Sequence, residues 1–319
     1  MRGIAAIVVM MTHMGGEPAR LLSGGYLAVD FFFVLSGFVL AHAYGERTIG
    51  TAAFMRARAI RLYPLYLIGL VVGVAAAFAT GTAPAQITVA LVLGLFFLPA
   101  PTLDLYPLDP PSWSLFFELF ANASWFPVRR VLTGALAAVA ILLGALAILS
   151  SDIAFGAVDG GGYWSNIAGG FARVGFSFMA GVLIYRLRQR IGARLPLPGA
   201  FAIVGLLVVL AAPLPRRLFD PIAVLILMPS LVFLGASCNG GGRLFSRVQA
   251  QLGAASYAIY ILHFPVIVVV DRLLIPRLAI SHPSLVTTPL TSAVVIGAAL
   301  FLDRYYDRPT RRWLTASVA

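Results

Sequence analysis

The chain has 319 residues, of which 60% are hydrophobic and only 11% charged, and its mean hydropathy is +0.94. Soluble domains carry roughly 25% charged residues, so this composition excludes a water-soluble globule and requires an integral membrane protein. The net charge of +11 comes from arginine alone, with no lysine, and the arginines lie in short clusters between apolar runs; with no broad basic face or nucleic-acid motif, a nucleic-acid binder is excluded.

The chain opens with Arg2, an apolar run and then His13, followed by a glycine-containing loop. The run from Gly3 to Met14 is short for a crossing that needs about 20 residues, and it lacks the n-region and small-residue cleavage site of a signal peptide. Either the helix tilts little and the bilayer thins there, or the natural protein begins further upstream, and we expect the latter. A second apolar helix is predicted from about Tyr26 to Tyr44 and contains Asp30. A third follows Arg56, Arg58 and Arg61, of which Arg58 and Arg61 share a helical face and Arg56 lies off it. The stretch Ile87 to Leu98 is shorter, and a loop rich in proline and aspartate follows it. Trp113 opens a helix that ends at Arg129-Arg130 and carries Glu118, and another run covers Val131 to Ser150. Beyond the Gly160-Gly161-Gly162 triplet, apolar stretches occupy about 166–185, 199–214, 221–237, 254–274 and 285–302. Cys238 is the lone cysteine, so no intrachain disulfide forms, and no Cys/His cluster has metal-ligand spacing.

Arginine clusters hold loops in the cytoplasm. Placing 56–61, 129–130, 186–194, 243–247 and 304–312 inside requires an even number of crossings between the chain ends. With Ile87 to Leu98 as a half-span, about ten crossings remain out of eleven apolar stretches. The predicted fold is an all-α polytopic membrane helix bundle of about ten transmembrane helices, with both termini cytoplasmic. We expect a single membrane domain over residues 1–319. His13 then lies about 16 Å along the first helix from Arg2. Ionisable groups at membrane depth are costly and mark functional sites by default, which singles out His13, Asp30 and Glu118. An alanine-rich, lysine-free composition also suggests a bacterial source with GC-rich DNA.

Four separated motifs carry a resemblance. They are Arg2-Gly3-Ile4-Ala5-Ala6 with His13 eleven positions after Arg2, the run Gly25 to Phe38, the segment Pro111-Ser112-Trp113-Ser114-Leu115-Phe116-Phe117-Glu118, and the segment Ser256-Tyr257-Ala258-Ile259-Tyr260-Ile261-Leu262-His263-Phe264-Pro265. In order and spacing the chain resembles the acyltransferase-3 family from Arg2 to about Trp313. Ala28 stands where the family more usually has glycine, and Ala57 where it often carries a second consecutive arginine. The resemblance implies transfer of an acyl group, usually acetyl, from cytoplasmic acyl-CoA to a hydroxyl of a cell-envelope or exported glycan. Acyl-CoA is then a donor substrate with no permanently bound cofactor. The partners are the donor, a carbohydrate or glycolipid acceptor and membrane lipid, in the bacterial inner membrane.

Planar guanidinium groups bind phosphate in bidentate fashion, so Arg58 and Arg61, with Arg56 and Arg2 as further candidates, are expected to clamp the coenzyme's phosphates; the competing role is topogenic. His13 is the expected general base, because neutral imidazole is poised to deprotonate an alcohol near neutral pH. His263 is the rival base, or a structural histidine before Pro265. Asp30 and Glu118 are the two acids able to orient His13, although Asp30 could instead bridge to Arg2 or Arg20. Trp113, Ser114, Tyr257 and His263 are candidate acceptor contacts, with interfacial anchoring or packing as the alternative for Trp113 and Tyr257. Ser36-Gly37 most simply permits close helix approach. No Gly-x-Ser-x-Gly elbow is present, leaving direct attack on the thioester or a transient acyl-histidine. A transporter or flippase that moves a glycan or lipid without acylating it is the alternative class.

Overall fold

The computed structural model describes residues 1–192, 194–239, 242–274 and 283–317. Each of the apolar stretches forms helix: α1 (Arg2–His13), α3 (Ala28–Tyr44), α4 (Thr51–Ala79), α5 (Pro84–Leu95), α6 (Trp113–Val128), α7 (Gly134–Phe155), α8 (Ile167–Ile191), α9 (Ala200–Leu210), α10 (Arg216–Ile222) continued by α11 (Met228–Ser237), α12 (Arg243–Val269) and α13 (Pro283–Leu302). Two short helices are additions to the expected pattern. These are α2 (Gly16–Leu21), within the glycine-containing loop, and the polar α14 (Arg308–Ala316). Helices dominate because a lipid environment offers backbone N–H and C=O groups no water, so each segment must satisfy its own.

Six helical segments among the described residues are long and apolar enough to cross a membrane: Gly25–Tyr44, Thr51–Ala79, Gly134–Ala154, Trp164–Ile191, Arg216–Ser237 and Arg243–Arg272. The chain is an integral membrane protein built from helices. Along α7 the side chains Leu136, Leu142, Leu143, Leu146 and Ile153 are each more than half exposed, a surface only lipid tolerates. Among the described residues three apolar helices are short (α1, α5 and α9), whereas the sequence reading singles out the α5 region alone as a half-span. At 12 residues, α5 is about 18 Å long against a hydrocarbon core of about 30 Å. One small departure from an all-helical chain is a parallel pairing of Leu195–Pro198 with Cys238–Asn239. Alternating prolines in that segment lack the N–H donors a helix needs.

The chain divides into two compact units, each drawn from separated stretches. The first comprises Met1, Ser23–Met55 and Phe117–Gln249. Its framework is α3 against α8. A Cβ at Gly37 would lie 2.0 Å from the Phe178 carbonyl oxygen, and one at Gly181 would lie 1.9 Å from that of Val34. Only glycine permits backbones this close. Within this contact Arg173, 1% exposed, donates to both oxygens of Asp30, at 2.7 Å for the shortest bond, and to the carbonyls of Tyr26 and Gly160. Arg129, read from the sequence as topogenic, is buried here; it donates to the carbonyls of Tyr44, Arg47 and Phe126, satisfying acceptors left at helix ends.

The second unit comprises Arg2–Leu22, Arg56–Phe116 and Ala250–Ala319. In it α1 runs beside α12 in the same direction: Gly3 abuts Leu252 at one end and His13 meets His263 at the other. Helix α4 approaches α12 closely at Gly69, where a Cβ would meet Ile261. Tyr66 of α4 donates to the Gly94 carbonyl and stacks on Phe97 at 4.1 Å.

Candidate active site

Helix α12 gathers most of the candidate residues of the second unit. Its segment 257–263 is helical, so Tyr257, Tyr260 and His263 fall three apart along one stripe. Tyr257 donates its hydroxyl to the Leu62 carbonyl at 2.9 Å, and the Arg61 guanidinium lies 5.6 Å from the centre of its ring. One turn on, the Tyr260 hydroxyl lies 2.8 Å from Ser114 Oγ and donates to the Pro111 carbonyl at 3.1 Å. The Tyr260 ring is 5.7 Å from that of His263, and His263 is 5.0 Å from His13. A chain of contacts thus links Ser114, Tyr260, His263 and His13.

The two histidines are held alike. Nδ1 of His13 lies 2.8 Å from the Val9 carbonyl, and Nδ1 of His263 lies 3.2 Å from the Ile259 carbonyl, each four residues earlier on its own helix. A carbonyl oxygen only accepts, so Nδ1 must carry the proton in both rings. Nε2 is then the basic nitrogen of each neutral imidazole. His13 is exposed and His263 fully buried, with Nε2 of His263 lacking a hydrogen-bond partner among the described residues. Phe264 packs edge-on to His13 at 5.6 Å.

At the start of α4, Arg56 is exposed while Arg58 and Arg61 are half-buried, following the predicted facial division. Arg61 lies 3.5 Å from Asp307, an acid on the π-helical turn Asp303–Asp307 that joins α13 to α14. Arg2 is half-buried at the first turn of α1.

A model of the acyltransferase domain matches residues 1–303. The chain belongs to the acyltransferase-3 family. It is 28% identical over 324 aligned residues to the exopolysaccharide production protein ExoZ of Rhizobium meliloti (strain 1021), covering 95% of both chains. It is 43% identical to protein 2 in the picA locus of Rhizobium radiobacter over 144 residues, which cover 38% of this chain and 75% of that protein. Similarity to the acyltransferase MdmB of Streptomyces mycarofaciens is 32% identity over 146 residues, covering 40% of this chain and 37% of that one. No solved structure matches. The protein is therefore an acyltransferase, which requires an acyl donor and displaces the reading as a transporter without acyl transfer.

The two candidate acids of the acyltransferase belong to the first unit, and each has a partner there. Asp30 is engaged by Arg173, where the sequence reading offered Arg2 or Arg20; Arg20 instead pairs with Glu17 at 2.6 Å. Glu118 is half-buried and accepts from Ser36 Oγ at 2.8 Å. Trp113 is half-buried at the start of α6, and Ser114 is buried beside Tyr260. Two participants escaped the sequence reading. Arg173 could have been found as the lone arginine inside an apolar run, which demands a counter-charge. Asp307 gave no comparable signal, since it stands among several arginines at the end of a span.

Proposed function

We propose that the chain is a membrane O-acyltransferase that moves an acyl group, acetyl in the simplest case, from acyl-CoA to a hydroxyl of a cell-envelope or exported glycan. The polysaccharide-related name of its full-length relative supports a carbohydrate acceptor. In this reading the chain crosses the bacterial inner membrane about ten times with both ends cytoplasmic. The donor docks at the arginine-bearing end of α1 and α4, through Arg58 and Arg61 with Arg2 and Arg56 nearby. The observation that carries the reading is the His13–His263 pair, in which the Val9 carbonyl holds Nδ1–H of His13 and leaves Nε2 as the base.

Nε2 of His13 takes the proton of the acceptor hydroxyl as its oxygen attacks the thioester carbonyl. The carbon–sulfur bond then breaks, and the imidazolium returns the proton to the departing thiolate, so the histidine ends neutral. His263 walls the base with a second imidazole. Tyr260 ties that wall to Ser114, which with Trp113 and Tyr257 forms the proposed acceptor surface. Asp30 is assigned to the Arg173 ion pair, and Glu118 to its hydrogen bond from Ser36.

The test is transfer of label from radioactive acetyl-CoA to envelope glycan in inside-out membrane vesicles at matched expression. The wild type should label glycan and His13→Ala should not, while loss in Arg58→Ala should recover at high donor concentration. A His13→Ala variant as fast as the wild type would overturn the base assignment and make His263 the residue to replace. A wild type that never consumes the thioester would overturn the donor.

A further inference from the structure

The end of the described chain carries an arrangement that the reaction just outlined does not use. The turn Asp303–Asp307 and helix α14 bring four arginines, Arg304, Arg308, Arg311 and Arg312, against two aspartates. Both aspartates are buried: Asp303 is 4% exposed and Asp307 0%. Arg308 pairs with Asp303 at 2.6 Å, and Arg311 pairs with Asp307 at 2.7 Å. Arg61 reaches the same Asp307 oxygen, Oδ2, at 3.5 Å. That contact is too long for a good hydrogen bond, and Arg61 Nη1 is a buried donor without a hydrogen-bond partner among the described residues. Arg312 has no carboxylate partner among the described residues and is exposed. Arg308, Arg311 and Arg312, with Thr315 and Ala316, line an open cleft of about 510 Å³.

We propose that this cleft is a binding site for a phosphate group, and that Asp307 couples it to Arg61. The chemistry is that of the guanidinium fork, which matches phosphate oxygens two at a time. Three such groups around one cleft exceed the charge of the two aspartates they meet, Asp303 and Asp307, because Arg312 has no carboxylate partner among the described residues. Asp307 acts as a hinge of charge. It anchors Arg311 on the cleft side and Arg61 on the α4 side through one oxygen, so two guanidinium groups are kept close enough for one phosphate to engage both. A cleft of this volume accepts a nucleotide portion or a lipid headgroup. Phosphate of either source would dock here; the nucleotide source rests on the acyl-CoA reading, and the lipid source does not.

The experiment uses the purified full-length protein and two probes: tritiated coenzyme A in equilibrium dialysis, and phosphatidylglycerol retained from nanodiscs, against phosphatidylcholine as the neutral lipid. Arg312→Gln and Arg308→Gln should each weaken one of these about tenfold, the size expected for one charge-assisted bond, and should flatten its salt dependence. Arg190→Gln, an exposed arginine of α8, should change neither. Loss confined to coenzyme A assigns the site to the donor, and loss confined to phosphatidylglycerol assigns it to lipid. Unchanged binding of both probes in the two variants overturns the site. Vesicle transfer assays keep the readings apart: wild-type transfer with unaltered probe binding in the variants removes this site alone, whereas probe loss without any wild-type transfer removes the acyl-CoA reaction alone.

Discussion

Replacing Asp30 by asparagine removes the carboxylate to which Arg173 donates at 2.7 Å, in a contact where the two side chains are 0% and 2% exposed. The guanidinium retains the Tyr26 and Gly160 carbonyls, and the new amide oxygen still accepts, but its ion pair with Asp30 is lost. Breaking one side of a buried ion pair costs about 3–5 kcal/mol. The retained acceptors put Asp30→Asn near the lower figure, about 3 kcal/mol. Arg173→Met strands a carboxylate and strips both carbonyls of their donor, so it belongs near the upper one, about 5 kcal/mol. The double variant buries no net charge, and its cost should fall short of the sum of the single costs by at least about 2 kcal/mol. Unfolding titrated with denaturing detergent and followed by tryptophan fluorescence gives all four corners of the cycle. Transfer per folded molecule, read in parallel, separates a structural carboxylate from a catalytic one. If Asp30→Asn is as stable as the wild type, or stays folded yet transfers no acyl group, the ion-pair reasoning fails and Asp30 returns to the catalytic set.

Burial in the loop before α6 pushes the Asp109 carboxyl up to about 7. A folded value above the unfolded one of about 3.9 means that stability is full below pH 4 and is lost as pH rises through 7, by about 4 kcal/mol in total; unfolding at pH 5 and pH 8 should show about 3 kcal/mol of this fall, and Asp109→Asn should abolish it. Gly37→Ala drives a methyl group into the rigid Phe178 backbone, whereas Gly175 has nothing within 4 Å. The first should destabilise by at least about 2 kcal/mol and the second should be neutral or stabilising, by the same unfolding assay. Tyr260→Phe removes the hydroxyl shared by Ser114 and the Pro111 carbonyl, which still bond each other at 3.1 Å, and should cost about 0.5–1.5 kcal/mol. Equal stability of that variant and the wild type would remove Tyr260 from the network.

Much of the helical framework could be read from hydropathy, because a lipid solvent leaves the backbone few choices and every apolar stretch became a helix. What hydropathy cannot supply is pairing. Asp30 was visible as a costly charge, yet its partner lies 143 residues away on α8, and periodicity within one helix carries no information about which neighbour it meets. The grouping of His13 with His263 was likewise invisible: each was considered a separate base, and the parallel run of α1 beside α12 makes them a pair. The facial division of Arg56 from Arg58 and Arg61 was legible because it depends on one helix alone. Asp307 was hidden by its neighbours, since counting arginines at a span end reports orientation and not which acid is buried beneath them.

The main-chain acceptor behind His13 has a consequence for genetics. In hydrolase triads the group that orients the base is a side chain, so a single codon change can remove it. Here the orienting oxygen is a peptide carbonyl of α1, supplied by whatever residue occupies position 9. A saturation scan should therefore find Val9 replaceable by other apolar residues of similar size. Loss of activity should concentrate on changes that break or rotate the helix between positions 9 and 13, such as proline at position 11 or 12. Orientation of the base is a property of the helix as a whole and drifts only when the helix does.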